Sequence, residues 1–227
     1  MGERISLQSD MIMKKNAIAE IDLLIERYPA LAKLYPQLLH GAELIAQSYR
    51  NGKKILVCGN GGSAADSLHI VGELMKRFVI KRELKKELKE RIAEDYPENA
   101  AFYLKYLEGT LPAISLVNEV SLMTAYSNDQ AAELAFAQQV LGYGEKGDVL
   151  IVISTSGNSE NVLHAAKIAH SMGIHVLAMT GETGGKLKAY SDVLLNVPST
   201  ITYQIQEYHL PIYHALCLAM EKEFFEE

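Results

Sequence analysis

Hydrophobic and polar positions along the chain form two kinds of pattern, short apolar runs and longer stretches with helical spacing. The run Ile55–Val57 is short, partly β-branched and bounded by turn residues, which is typical of a buried parallel strand. Val149–Ser154 is the clearest strand, and similar runs occur at Pro112–Val117, Ile174–Met179 and Val193–Val197. Strands that alternate with helical patterns predict one α/β domain with a parallel sheet.

Helical spacing dominates both ends of the chain. Residues 1–50 form a preface in which we expect two helices, interrupted at Pro29 and Pro36 because proline disfavours helix at the residue before it. A last helix is expected over about Thr202–Phe225. Between them, residues 79–110 are dense in alternating charge, which predicts an exposed helical insertion. A solvated helix with salt bridges is favoured there over a lid or a subunit contact.

Composition and charge narrow the possible functions. With 227 residues, 48% of them hydrophobic, the chain can bury a full core. The formal net charge is −6 and no block of unbroken basic residues occurs, so we expect no nucleic-acid partner and no membrane partner. The two cysteines, Cys58 and Cys217, form no motif, which fits a reducing cytoplasm. The first 16 residues carry acids and no apolar leader pattern, so we expect a soluble cytoplasmic protein.

The strand at Ile55–Val57 runs into a loop rich in glycine, which opens directly into a helix. Gly59, Asn60, Gly61, Gly62 and Ser63 tolerate positive φ and let backbone N–H groups converge on an anion at a helix N-terminus. The loop is therefore a candidate phosphate cradle.

His69 and Glu73 follow in the same helix at spacing i, i+4, which puts both on one face. We expect that face near the loop end of the helix. A His/Glu pair of this kind is more often an ordinary surface pair, and only its position beside the loop makes it a candidate acid/base or metal pair.

The same loop also fits the dinucleotide pattern G-x-G-x-x-A from Gly59 to Ala64, which is weak by itself. A dinucleotide site needs a carboxylate at the tip of the next strand, roughly 20 residues further on. That part of this chain is the charged helical pattern, so the dinucleotide interpretation is disfavoured.

A second polar loop follows the strand at Val149–Ser154. Ser154–Ser159 holds four hydroxyls, a glycine and an amide, and a helix that begins with Glu160 follows it. One such loop would be interpreted as a capping loop, but two loops at the carboxyl ends of parallel strands form a pocket. Asn128 and Asp129 precede a predicted helix that runs through Gln139, where such residues usually cap the helix.

The last predicted helix carries Gln206 and His214, eight residues apart and thus on one face. His209 lies off that face and is interpreted as structural.

Four stretches, CGNGGS, His69-x-x-x-Glu73, STSGNS and IQEYHLPIYH, together resemble the sugar isomerase (SIS) family, and within it the phosphoheptose isomerases. The resemblance covers nearly the whole chain. It implies a flavodoxin-like parallel sheet flanked by helices, and a homotetramer. It also implies the conversion of sedoheptulose 7-phosphate to D-glycero-D-manno-heptose 7-phosphate through an enediol.

The resemblance further implies roles for individual residues. One Zn²⁺ per subunit would be held by His69, Glu73, Gln206 and His214, with Glu73 and His214 as the acid/base pair and Gln206 also near substrate. The phosphate grip would be formed by five hydroxyl residues, Ser63, Ser154, Thr155, Ser156 and Ser159. Further substrate contacts would come from Asn60, Gly61, Gly62, Asn128 and Asp129.

The chain departs from the family pattern at two places. Tyr203 and Gln204 stand where members commonly have an acidic residue and an arginine, and the insertion between Phe78 and Leu111 is longer than usual. A rival interpretation is a non-catalytic SIS protein similar to the DnaA initiator-associating protein, but such proteins generally lack the full quartet of His, Glu, Gln and His. A phosphosugar-sensing transcription factor would need a DNA-binding domain, for which the chain has no room.

Overall fold

The computed structural model describes residues 13–226 of the chain. The predictions for the first residues of the N-terminal preface therefore lie partly outside the described residues. Within them, five strands and nine α-helices follow one another as α1 Lys15–Arg27, α2 Tyr35–Arg50, β1 Ile55–Gly59, α3 Gly62–Met75, α4 Lys86–Asp95, α5 Ala100–Tyr106, β2 Ala113–Ser115, α6 Val120–Asp129, α7 Ala135–Tyr143, β3 Val149–Ile153, α8 Glu160–Ser171, β4 His175–Thr180, β5 Val193–Asn196 and α9 Thr202–Phe225. Short 3₁₀ helices lie at Pro29–Leu34, Ala132–Leu134 and Gly185–Tyr190.

The five strands form one parallel sheet in the order β2-β1-β3-β4-β5. This order confirms the flavodoxin-like sheet that the resemblance implied. The interior strands β1 and β3 are buried along their whole length, because helices cover both faces of the sheet.

Alternate residues of each strand point into two separate cores. Ile55 and Val57 of β1 pack with α1, α2, α3 and α9 on one face, and Leu56 and Cys58 pack with α7 and α8 on the other. This alternation follows from the two-residue period of a strand. As a result α3 and α9 share a layer, which brings the two helices with the candidate site residues together.

The insertion is exposed as predicted, since α4 has no buried residue. The base of the insertion, however, is fixed to the domain by a buried ion pair that was not predicted. Arg82 and Glu221 are both fully buried and lie 2.8 Å apart. The two ends of the insertion also meet, because Gly109 N–H donates to the carbonyl of Arg82 at 2.9 Å.

The region between β2 and β3 differs from the prediction. Asn128 and Asp129 do not cap a following helix; they end α6, a helix that the sequence analysis did not predict, and α7 is a separate helix after it. The residues of α6 alternate irregularly between polar and apolar, and none of them is buried, so the helix has no apolar face to reveal it.

Among residues 13–226, no helix is long and apolar enough to cross a bilayer.

Candidate active site

The loop between β1 and α3 is a tight turn that leads directly into the N-terminus of α3. Gly61 has φ of 56°, a conformation that favours glycine, and α3 begins immediately after it. Gly62 lies against the side-chain amide of Gln206, so that a Cβ at residue 62 would come within 2.5 Å of Gln206 Nε2. The Gln206 side chain therefore packs directly on the first turn of α3, and a side chain at residue 62 would force the flexible Gln206 amide to move.

The hydroxyl residues of the loop between β3 and α8 bond partly to one another and to the backbone of the loop. Ser159 immediately precedes α8 but does not cap the helix with its side chain; its Oγ lies 3.0 Å from Ser154 Oγ. Ser156 Oγ accepts a hydrogen bond from the N–H of Asn158 at 3.1 Å. The carbonyl of Thr155 accepts the N–H of Gly181 at 2.9 Å, which fixes the loop to the end of β4.

The two loops are joined directly by a pair of side-chain amides. Asn60 Nδ2 donates to Asn161 Oδ1 at 2.8 Å, and Asn161 Nδ2 donates back to Asn60 Oδ1 at 3.0 Å. Asn60 belongs to the first loop and Asn161 to the first turn of α8, so the sheet places both loops at one edge. The two predicted loops are thus in direct contact with each other.

Three of the four predicted metal ligands lie together where α3 packs on α9. His69 Nε2 is 3.4 Å from Glu73 Oε1, and the rings of His69 and His214 have centroids 5.0 Å apart. His214 Nε2 is buried and has no hydrogen-bond partner among the described residues. Lys76 occupies the other carboxylate oxygen of Glu73 at 2.9 Å.

The position of this cluster along α3 differs from the prediction. His69 is in the middle of the helix and Glu73 in its last turn, so the pair does not lie at the loop end. Gln206, by contrast, lies at that end, against Gly62. Residues that share a face of α9 are still separated along its axis, by about 1.5 Å per residue.

The donor types fit a divalent metal ion, because imidazole and carboxylate are the ligands that Zn²⁺ commonly takes. The unpartnered Nε2 of buried His214 supports this fit, since a buried ring nitrogen normally has a partner. In the present side-chain arrangement, however, no three His, Cys, Asp or Glu residues within 13–226 are grouped closely enough to hold an ion.

Burial shifts the pKa values of two residues near His69, His214 and Asp66. Burial lowers the pKa of His214, and the charge of His69 lowers it further, which favours the neutral imidazole. Burial raises the pKa of Asp66, opposed by a hydrogen bond from Tyr213. His209, fully buried off this face, has its pKa lowered to about 4 by burial and bonds through Nε2 to the carbonyl of Thr180, as expected of a structural histidine.

Comparison with known proteins shows which family the chain resembles. The model of the SIS domain family matches residues 18–91 and 90–181. A protein named phosphoheptose isomerase from Clostridium acetobutylicum is 41% identical over 82% of this chain and 81% of its own. Another from Helicobacter pylori is 38% identical over 95% of this chain and 97% of its own.

The chain belongs to the SIS domain family, in its phosphoheptose isomerase branch.

Solved structures of this branch have the same fold. The phosphoheptose isomerase from Neisseria gonorrhoeae aligns with a TM-score of 0.69 at 37% identity, over 90% of this chain and 94% of that one. The phosphoheptose isomerase from Francisella tularensis gives a TM-score of 0.69 at 32% identity, over 90% and 95% of the two chains.

Within this SIS domain, several residues at the site were missed by the sequence analysis. Tyr213 lies between Asp66 and His69, and Asn161 joins the two loops. Asp66 precedes His69 by three residues, a helical spacing that could have drawn attention to it. Asn128 and Asp129, predicted to contact substrate, are exposed, and their side chains bond to each other at 2.9 Å.

Proposed function

We propose that this protein interconverts sedoheptulose 7-phosphate and D-glycero-D-manno-heptose 7-phosphate. The observation that carries the proposal is the junction of the two strand-end loops through Asn60 and Asn161, in a chain whose relatives are named phosphoheptose isomerases. The chain is an isomerase, and the function requires an anion site and an acid/base pair in one domain.

The phosphate group is proposed to bind between the two loops. Ser154, Thr155, Ser156 and Ser159 supply hydroxyls on one side, and the start of α3 with Ser63 supplies N–H groups on the other. The helix dipoles of α3 and α8 add to the attraction, because both helices begin at the pocket. Asn60 and Asn161, which bind each other in this structure, can turn toward a ligand.

Glu73 and His214 are the proposed acid/base pair. Isomerisation removes a proton from one carbon and adds a proton to the carbonyl oxygen of the neighbouring carbon, which gives an enediol. The neighbouring carbon then gains a proton, while the hydroxyl on the first carbon loses its proton and becomes the new carbonyl. A group that acts as base in one direction acts as acid in the other. Burial lowers the pKa of His214, which favours its neutral imidazole.

His69, Glu73 and His214 are also proposed to hold one Zn²⁺, whereas the predicted fourth ligand, Gln206, lies about 12 Å from His214 along the axis of α9. When bound, the metal supplies Lewis-acid polarisation of the substrate carbonyl. The protein's own contribution is to release Glu73 from Lys76, an exposed lysine whose ion pair is weak in water. Gln206 would then act at the loop end of α3, where it contacts Gly62.

The protein is further proposed to be a homotetramer in the cytoplasm. Supporting the assembly, Leu23 of α1 and Leu210 of α9 are 46% and 41% exposed. They border a cavity of about 190 Å³ that His214 also lines. Leu23→Glu with Leu210→Glu should lower the mass measured by light scattering, whereas Leu88→Glu on the insertion, equally exposed, should not. Both cysteines are free and buried, in keeping with a reducing compartment.

The direct test is to incubate the purified protein with sedoheptulose 7-phosphate and to follow the aldose product by NMR. Turnover that disappears in Glu73→Gln supports the proposal. Binding of the sugar phosphate without turnover, at any metal loading, would instead support the rival non-catalytic interpretation and overturn the enzymatic one.

A further inference from the structure

The hydroxyl of Tyr213 lies between a carboxylate and the imidazole of His69. Tyr213 Oη is 3.3 Å from Asp66 Oδ1 and 3.0 Å from His69 Nδ1. Tyr213 is 2% exposed, so packing fixes the position of its side chain and thus of its hydroxyl. His69, in contrast, has an exposed side chain whose ring orientation needs a partner.

We infer that Asp66 and Tyr213 are positioning residues that keep the proton of neutral His69 on Nδ1, so that the lone pair of Nε2 faces Glu73. The inference rests on the proposed role of His69 as a metal ligand and adds to it the residues that set the tautomer. It concerns the direction of two hydrogen bonds.

The direction follows from counting protons. The hydroxyl of Tyr213 has one proton to donate, and an ionised carboxylate can only accept. A hydrogen bond to a charged acceptor is roughly twice as strong as a neutral one, so the proton is directed to Asp66. Asp66 Oδ2 is buried without a partner among the described residues, which increases the need of this carboxylate for the Tyr213 bond. Tyr213 Oη must then accept the N–H of His69 Nδ1.

The consequence appears on the other side of the imidazole ring. With Nδ1 protonated, Nε2 carries a lone pair, and it lies 3.4 Å from Glu73 Oε1. Two acceptors that face each other repel unless a cation lies between them. The arrangement therefore prepares His69 and Glu73 for a shared cation, in the way that hydrogen-bond partners of metal-binding histidines generally fix the tautomer.

The opposite arrangement makes a different prediction. If Tyr213 donated to His69 Nδ1, then Nε2 would carry the proton and donate it to Glu73, and the pair would need no cation. The two arrangements differ only in which nitrogen of His69 is protonated, so the tautomer decides between them.

The tautomer can be measured in the full-length, metal-free protein at mildly alkaline pH, with His69 assigned through a His69→Gln variant. Long-range ¹H–¹⁵N spectra should show Nδ1–H in the wild type. In Tyr213→Phe, and less completely in Asp66→Asn, the proton should move to Nε2. Tyr49→Phe is the matched control, because the Tyr49 hydroxyl is also buried but has no partner among the described residues. Nε2–H in the wild type, or an unchanged tautomer in both variants, would overturn the inference.

A second readout uses Zn²⁺ alone as the probe. Calorimetry should show an affinity about 10–100-fold weaker in Tyr213→Phe than in Tyr49→Phe. Turnover of sedoheptulose 7-phosphate by Tyr213→Phe should lose kcat with little change in KM. Equal zinc affinities in the two variants would contradict the inference. Wild-type protein that shows Nδ1–H but no turnover would refute the proposed function alone.

Discussion

Arg82 donates a hydrogen bond from Nη2 to the main-chain carbonyl of Glu73 at 2.8 Å, and so holds the last turn of α3 on which the proposed acid/base residue lies. Its Nη1 bonds the carbonyl of Leu74 at 2.6 Å and its Nε bonds Glu221. Glu221 in turn accepts the N–H groups of residues 78–80. Burial acts to raise the pKa of Glu221, but these hydrogen bonds outweigh it and lower the pKa.

Loss of this arginine should destabilise the whole domain. Arg82→Met leaves the buried carboxylate of Glu221 without its cation and removes one donor each from the carbonyls of Glu73 and Leu74. Such a loss costs about 3–5 kcal/mol. Urea unfolding followed by circular dichroism measures the difference. Arg91→Met, on exposed α4, is the control and should change the free energy of unfolding by less than about 0.5 kcal/mol. A similar small change in Arg82→Met would show that the buried pair contributes little.

Glu73→Gln and His214→Ala should each abolish isomerisation while the protein stays folded. Acid/base groups contribute roughly 10²–10⁴-fold to rate, and both side chains line the site rather than the centre of either core. Steady-state assays with sedoheptulose 7-phosphate give the rates, and thermal melts monitor folding. Glu90→Gln and His40→Ala are exposed controls that should leave both unchanged. Full activity in either site variant would remove that residue from the proposed pair.

Ser156→Ala should raise KM more than it lowers kcat. A phosphate grip is remote from the reacting carbons and contributes mainly uniform binding. Loss of one hydrogen bond to a charged group costs about 1.5–3 kcal/mol. Ser171→Ala, at the far end of α8, controls for the loss of a serine hydroxyl that lies away from the loop. An unchanged KM in Ser156→Ala would exclude this residue from the phosphate site.

Stability should fall on acidification because of His209. Its pKa is lowered to about 4 in the folded protein, whereas the unfolded chain has an ordinary value near 6.5. Between those values the unfolded state binds the extra proton, so the free energy of unfolding declines as the pH falls from about 6.5 to about 4. Over this pH range the titration of His209 lowers the free energy of unfolding by about 3 kcal/mol.

His209→Gln should flatten this part of the stability curve, since glutamine does not titrate. The measurement is urea unfolding at a series of pH values, and the slope is compared rather than the absolute stability. His40→Gln, at an exposed position, should retain the wild-type slope. If His209→Gln has the same slope as the wild type, other groups cause the loss of stability in acid.

The fold could be predicted from sequence because its signals are local. A buried parallel strand such as β3 is a short apolar run. The loops after β1 and β3 are recognisable by their glycine and hydroxyl residues. Helix α6 could not be found in this way, because it buries no residue and so leaves no apolar stripe.

The site was predicted less completely, for reasons of distance. Gln206 and His214 share a face of α9, but eight residues of helix separate them by about 12 Å along the axis. Gln206 therefore lies at the loop end of α3, and His214 lies beside His69. Arg82 and Glu221 are 139 residues apart in sequence, and no local pattern joins them. Contacts of this kind depend on how α3 and α9 pack together.

The hydrogen bond between Gly109 N and Arg82 O has a consequence for how the insertion could be gained or lost in evolution. Because this hydrogen bond joins the two ends of the insertion, residues 83–108 form a closed loop. The loop contributes no strand to the sheet. The entropic cost of closing such a loop grows only slowly with the number of residues in it. Residues could thus be added between α3 and the edge strand β2 with little loss of stability. The Arg82–Glu221 ion pair would hold the base of the insertion in the same place throughout.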